Sequence, residues 1–122
     1  MTSRPPVWIG HVSLPTRDLD ATERFMRAIG LRPIFRGEEI SVMELRGGTH
    51  IVLRQDRSHD GAEAEFDFMV EEIDSSHAQV QALGIPVTAL ERGRIHDSFR
   101  VVEPGGNTIV FNSTHVPDHD AV

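Results

Sequence analysis

The sequence predicts an α+β fold made of two tandem βαβββ modules. Three observations predict it: a divergent internal repeat, two helical patterns that each run into a glycine, and a Gly-Gly pair ahead of the last β-prone run in each half. Leu19-Asp20 opens a helical pattern ending Ala28-Ile29-Gly30-Leu31. Ile73-Asp74 opens another, fifty-four positions on, ending Ala82-Leu83-Gly84-Ile85. Gly47-Gly48-Thr49-His50-Ile51-Val52-Leu53 is echoed by Gly105-Gly106-Asn107-Thr108-Ile109-Val110-Phe111 at an offset of fifty-eight, so the second copy carries four extra residues, expected in a hairpin.

In the first copy, Val7 to Leu14 is apolar and β-prone and reads as a strand. Asp20 is the expected helix N-cap, with Glu23 completing a capping-box-like pair. Ala21, Phe25, Ala28 and Ile29 then recur at helical spacing. Gly30 is the expected stop, because a left-handed residue after the helix costs glycine little. Strands follow at about Pro33–Arg36, Ile40–Leu45 and Thr49–Arg54, with turns at Gly37 and Gly47-Gly48. Gln55 to Ala64 is polar and reads as a linker. In the second copy Glu65 to Val70 is a strand, and Asp74 is the expected cap of a helix reaching about Leu83. Strands are expected near Val87–Leu90, Asp97–Val102 and Asn107–Asn112, and Glu103-Pro104-Gly105-Gly106-Asn107 is a strong turn signal. The acidic tail from Pro117 is expected to be loose.

The chain has 122 residues, the size of one domain, with modules at about 7–54 and 65–112. Its apolar runs are too short to span a membrane, and its opening residues lack the apolar core of a secretion signal. A cytoplasmic location is therefore the expectation. The absence of cysteine excludes disulfides, thiolate metal sites and a cysteine nucleophile. The formal charge of −7 argues against nucleic acid or anionic membrane as a partner; solubility is the simplest reason for it.

An early strand histidine, then Asp-Leu and a helix closed by Gly, stands here as His11-Val12-Ser13-Leu14, Asp18-Leu19 and Gly30. A closing hairpin stands as Ser98-Phe99 and Glu103-Pro104-Gly105-Gly106-Asn107-Thr108-Ile109. Together they resemble the vicinal oxygen chelate superfamily of glyoxalases, bleomycin-resistance proteins, fosfomycin-resistance enzymes and extradiol dioxygenases. The resemblance covers about Val7 to Asn112. It implies curved mixed sheets around a cleft, and a homodimer whose second subunit often completes that cleft.

The resemblance also implies four positions for a divalent metal, on the first and last strands of each module: His11, Glu65, Val52 and Val110. Histidine and glutamate can ligate; valine cannot. His50 shares a strand face with Val52, and Asp67 with Glu65, so a displaced site using His11, His50 and Glu65 or Asp67 can be drawn. The competing reading makes His11 and His50 cleft-lining or hydrogen-bonded residues without a metal. His96, Ser98 and Arg100 alternate on the strand before the closing turn. Arg100 matches a position near substrate in dioxygenase-like relatives and could pair with a carboxylate or phosphate, although a solvated or salt-bridged arginine is the plainer expectation. His96 has the intrinsic pKa of an acid–base group but no orienting partner visible in sequence. Trp8 and Phe35 could wall the cleft, although core packing is the plainer expectation for both, and His59 and His77 are expected to be exposed. Thr114, His115 and His119 form too loose a cluster for a site.

Two functions follow. One is a small-molecule-binding protein of the bleomycin-resistance type, with a degenerate metal site and ligand contacts from Val52, Asp67, His96, Ser98, Arg100 and Val110; the valines make an apolar floor. The other is a lyase or dioxygenase of the glyoxalase or extradiol type, in which one zinc, nickel, manganese or iron ion held by His11, Glu65 and His50 acts as a Lewis acid. The first needs no cofactor. Neither assigns a catalytic residue from sequence.

Overall fold

A computed structural model describes residues 4–114 of the chain. The tail from Pro117, and with it His115 and His119, lies outside the described residues. The first module runs β1 (His11–Thr16), α1 (Leu19–Ala28), β2 (Arg32–Arg36), β3 (Ile40–Glu44) and β4 (His50–Gln55). The second runs β5 (Ala62–Val70), α2 (Ile73–Ala82), β6 (Ser98–Val102) and β7 (Asn107–Ser113). Each module forms its own mixed sheet, with strand orders β1-β4-β3-β2 and β5-β7-β6. In both, the first strand lies parallel to the last, as a helical crossover requires, and the remaining pairs are antiparallel.

Alternation along the strands puts one face of each sheet against its helix. Leu14, Met43, Ile51 and Leu53 join Leu19, Phe25 and Met26 of α1 in a largely aliphatic core. In the second module Phe99 stacks on Phe111 with ring centres 4.9 Å apart, and Phe68 meets Phe111 edge-on at 5.4 Å. Ile73 and Val80 of α2 close over them. Gly30 and Gly84 both end their helices at positive φ, where a side chain would be strained.

Several expectations are corrected. Asp18, not Asp20, caps α1: its carboxylate accepts from the Ala21 amide at 3.1 Å, while Gln55 accepts from the Leu19 amide at 3.0 Å. Asp20 and Glu23 instead bind Arg36, and Glu23 also accepts from the Ser41 hydroxyl. Helix α2 has no side-chain cap, because Asp74 lies inside its first turn and is taken by Arg92 at 2.7 Å. The first strand begins at His11 rather than Val7. Its partner β4 begins at His50, in register with His11, so residues 7–9 have no strand beside them and Trp8 is 72% exposed. Phe35, 57% exposed, is also outside the core, since its register with Val42 puts it on the sheet face turned away from α1. The polar linker is shorter than expected, with β4 reaching Gln55 and β5 starting at Ala62.

The strand expected near Val87–Leu90 is reduced to two isolated bridges, Val87 to Val101 and Glu91 to Ser98. Residues 88–90 face 99–100 between the two bridges, and there the Thr88 amide donates to the Arg100 carbonyl at 2.9 Å. The Thr88 hydroxyl accepts from the Arg100 amide, and the Thr88 carbonyl accepts from His77 Nε2 at 2.8 Å. The four extra residues of the second copy fall in this stretch: twelve positions separate the end of α1 at Ala28 from the start of β3 at Ile40, against sixteen between Ala82 and Ser98.

Candidate functional site

The faces turned away from the helices carry the candidate residues in rows. In the first sheet, His11, His50 and Glu44 lie side by side across β1, β4 and β3, and Ser13, Val52 and Val42 form the next row. The His11 and His50 rings are 5.7 Å apart and tilted by 31°. His50 Nε2 lies 3.7 Å from a Glu44 oxygen, and the other Glu44 oxygen holds Arg32. Glu44 was not visible as a site residue in sequence. The β-strand alternation that links His50 to Val52 cannot show which residue of a neighbouring strand is in register with it.

In the second sheet the row equivalent to Ser13-Val52-Val42 is Asp67-Val110-Arg100. Asp67 accepts from the Asn112 side-chain amide at 2.6 Å, and Arg100 is ion-paired with Glu63. Ser98 is half-buried and in register with Asn112. His96 has the orienting partner that sequence did not reveal: its Nδ1 donates to the Ser113 carbonyl at 2.7 Å. His59 and His77 are half-buried rather than exposed. His59 Nε2 donates to the Asn107 side-chain oxygen at 2.9 Å, and His77 meets the Phe99 ring edge-on at 5.0 Å.

Glu65 occupies a different environment from His11, its counterpart in the repeat. The β1–β4 ladder is unbroken, whereas β5 slips against β7 between Glu63, opposite Thr108, and Asp67, opposite Val110. Between these pairs three residues of β5 therefore face one of β7, and Glu65 sits at the centre of that bulge. Bulges re-aim side chains and gather beside functional sites. A shallow open hollow of about 370 Å³ lies here, lined by Ala64, Glu65, Phe66, Asp67 and Val110.

Among the described residues no group of three or more His, Asp or Glu side chains converges on a point where an ion could sit. His50 leans toward Glu44, Glu44 is tied to Arg32, and Asp67 is tied to Asn112. The hollow holds Glu65 and Asp67 but neither histidine.

No protein-family model matches the sequence, and the search of curated proteins returns no match. Solved structures do match. Lactoylglutathione lyase from Agrobacterium tumefaciens is 24% identical, with a TM-score of 0.73 over 90% of this chain and 96% of that one. A variant of the fosfomycin-resistance protein FosX from Listeria monocytogenes, complexed with Mn(II) and 1S,2S-dihydroxypropylphosphonic acid, is 13% identical, with a TM-score of 0.73 over 93% and 95% of the two chains. A bleomycin-binding protein complexed with bleomycin is 19% identical, with a TM-score of 0.66 over 88% and 98%. At these identities the likeness is one of fold. The two modules, one βαβββ and one βαββ with two isolated bridges in place of the missing strand, thus give this chain the fold of the vicinal oxygen chelate superfamily, to which the glyoxalase, bleomycin-resistance and fosfomycin-resistance proteins belong.

Proposed function

We propose that the protein binds a small organic molecule against the outward faces of its sheets and lacks a complete metal site of its own. The observation that carries this reading is the pair Val52 and Val110. Each lies at the centre of an outward row, flanked by Ser13 and Val42 in one module and by Asp67 and Arg100 in the other. Two of the four positions that the resemblance gives to metal ligands are therefore aliphatic, and they offer apolar floor with polar groups beside it, the composition typical of ligand sites. Asp67, Ser98, Arg100 and His96 are the polar contacts proposed for the ligand. The bleomycin-binding protein of the same fold, complexed with bleomycin, supports this reading.

A second reading is supported by the adjacency of His11 and His50, and by the Mn(II) in the FosX complex. It makes the protein a divalent-metal-dependent lyase or dioxygenase, with His11, His50 and Glu65 as ligands. Calorimetric titration of the wild type and of His11→Ala with zinc, nickel, manganese and ferrous iron separates the two. The binding-protein reading expects no saturable uptake of one ion per chain by the wild type. Saturable uptake that is lost in His11→Ala and kept in His96→Ala would overturn it in favour of the metalloenzyme. Uptake unaffected by His11→Ala would remove His11 from any metal site.

The protein is further proposed to be a single domain that forms a homodimer. Strands β1 and β5 each pair along one edge only, and open edges are commonly covered by a partner. Light scattering that shows only monomer at roughly tens of micromolar, where a dimer of standard interface size persists, counts against the dimer.

A further inference from the structure

Glu103 is a carboxylate with 1% of its surface exposed, and it lies outside the candidate site. No cation is paired with it among the described residues; neutral donors satisfy it. Gly105 N donates to Oε1 at 2.7 Å, and Asn107 N and Nδ2 donate to Oε2 at 2.9 and 2.7 Å. These three come from Glu103's own turn, between β6 and β7. The fourth comes from the other module: the Thr22 hydroxyl of α1 donates to Oε1 at 2.6 Å. Thr22 is itself 2.7 Å from the Thr16 hydroxyl at the end of β1, and both threonines are fully buried.

The same turn gathers further links between the halves, in addition to the Gln79 side chain on the Ala28 carbonyl and the Arg46–Glu71 ion pair elsewhere. Asn107 Nδ2 also donates to the Pro15 carbonyl at 2.8 Å. The Arg17 amide donates to the Gly105 carbonyl at 3.3 Å, and His59 of the linker donates to Asn107. Gly105 is a close approach, since a Cβ there would run into the hydroxyls of Thr16 and Thr22.

We propose that the buried Glu103 carboxylate is an inter-module latch. It locks the β6–β7 turn onto Thr22 of α1, so that the two sheets keep one fixed relation and unfold as one unit. A charge removed from water is retained only where donors replace the lost hydration, and a hydrogen bond to such a charge is stronger than a neutral one. Among the described residues Thr22 is the sole donor to this charge from the first module. Removing it therefore cuts the latch and leaves the turn's own three bonds in place.

The test is native-state hydrogen exchange on Thr22→Val, with Thr22→Ser as the conservative variant that restores the hydroxyl. In the wild type the most protected amides of β4 (Ile51, Leu53) and of β7 (Ile109, Phe111) are expected to open together, in one global event. In Thr22→Val the β7 amides should exchange roughly tenfold or more faster than the β4 amides, the loss expected for one hydrogen bond to a buried charge. Thr22→Ser should restore parallel exchange. Two results overturn the latch: β4 and β7 amides accelerating equally in Thr22→Val, or separate exchange that Thr22→Ser does not correct. Should Thr22→Val fail to fold, His59→Ala cuts a link at the half-buried end of the same network. It should give a smaller β7-selective acceleration, and equal acceleration of both modules again overturns the proposal.

Discussion

The two modules share a topology and differ in how completely they carry it out. Helix α1 buries Leu19, Ala21, Thr22, Phe25 and Met26 against a four-stranded sheet, whereas α2 buries only Ile73 and Val80 against three strands. The first parallel ladder is unbroken, and the second is bulged around Glu65. The outward rows differ as well: Ser13-Val52-Val42 is uncharged, while Asp67-Val110-Arg100 carries a charge on either side of the valine. The comparison teaches where a duplicated fold can vary. Most inward positions stay apolar in both copies, because burial is the main stabilising force, and the inward polar residues such as Ser41 are hydrogen-bonded. The edge strand and the outward face are free to change, and there the second copy has a bulge, a hollow and partnered charges.

The largest expected effect tests the difference between the helices. Phe25→Ala should cost about 3–5 kcal/mol, because it opens a cavity in the closely packed first core. Val80→Ala should cost about 2 kcal/mol, since it removes fewer carbon atoms from an equally buried site. Chemical denaturation of both variants measures this, and equal costs would break the comparison. A smaller effect tests the interrupted strand. Thr88→Val removes the hydroxyl that accepts from the Arg100 amide and should cost about 1 kcal/mol or less, because water can replace an exposed partner. Exchange of the Arg100 amide should quicken while that of Phe99 stays slow; acceleration of both would mean that Thr88 supports the whole sheet.

The smallest effect is electrostatic. The hydrogen bond from Arg92 holds the Asp74 carboxyl below its usual value of 3.8. A depressed folded-state pKa adds stability above the unfolded value and loses it as pH falls through the folded one. Asp74→Asn should therefore melt slightly below the wild type at neutral pH, and the two melting temperatures should converge near pH ~2. The pair is exposed, so the gap should also shrink in high salt. A gap that persists in acid would assign Asp74 a role other than its charge.

Much of the architecture was legible in the residues. The repeat, the glycine helix ends and the Glu103–Asn107 turn all appear where the pattern put them, and so do six of the strands to within a few positions. The candidate site was less legible. His11, His50 and Val52 fall on one face as strand alternation requires, but Glu44 beside His50, the bulge under Glu65 and the Ser113 carbonyl behind His96 depend on neighbouring strands. Trp8 and Phe35 show the same limit, since large apolar side chains enter a core only where another element covers them.

By itself the sequence determined the periodicities, the turns and the inward-facing set. These are local consequences of side-chain alternation and of glycine's access to positive φ. Only the tertiary structure decided which acid caps α1, since Asp18 and Asp20 are both suited and Arg36 claims the second. It also decided that Thr88 gives both its hydroxyl and its carbonyl to partners outside a regular ladder. The placing of Glu103 beneath Thr22 and of Glu65 in a bulge was decided there too. In each case several partners are chemically adequate, and the choice falls to whichever donor or acceptor the packed chain brings within hydrogen-bonding distance.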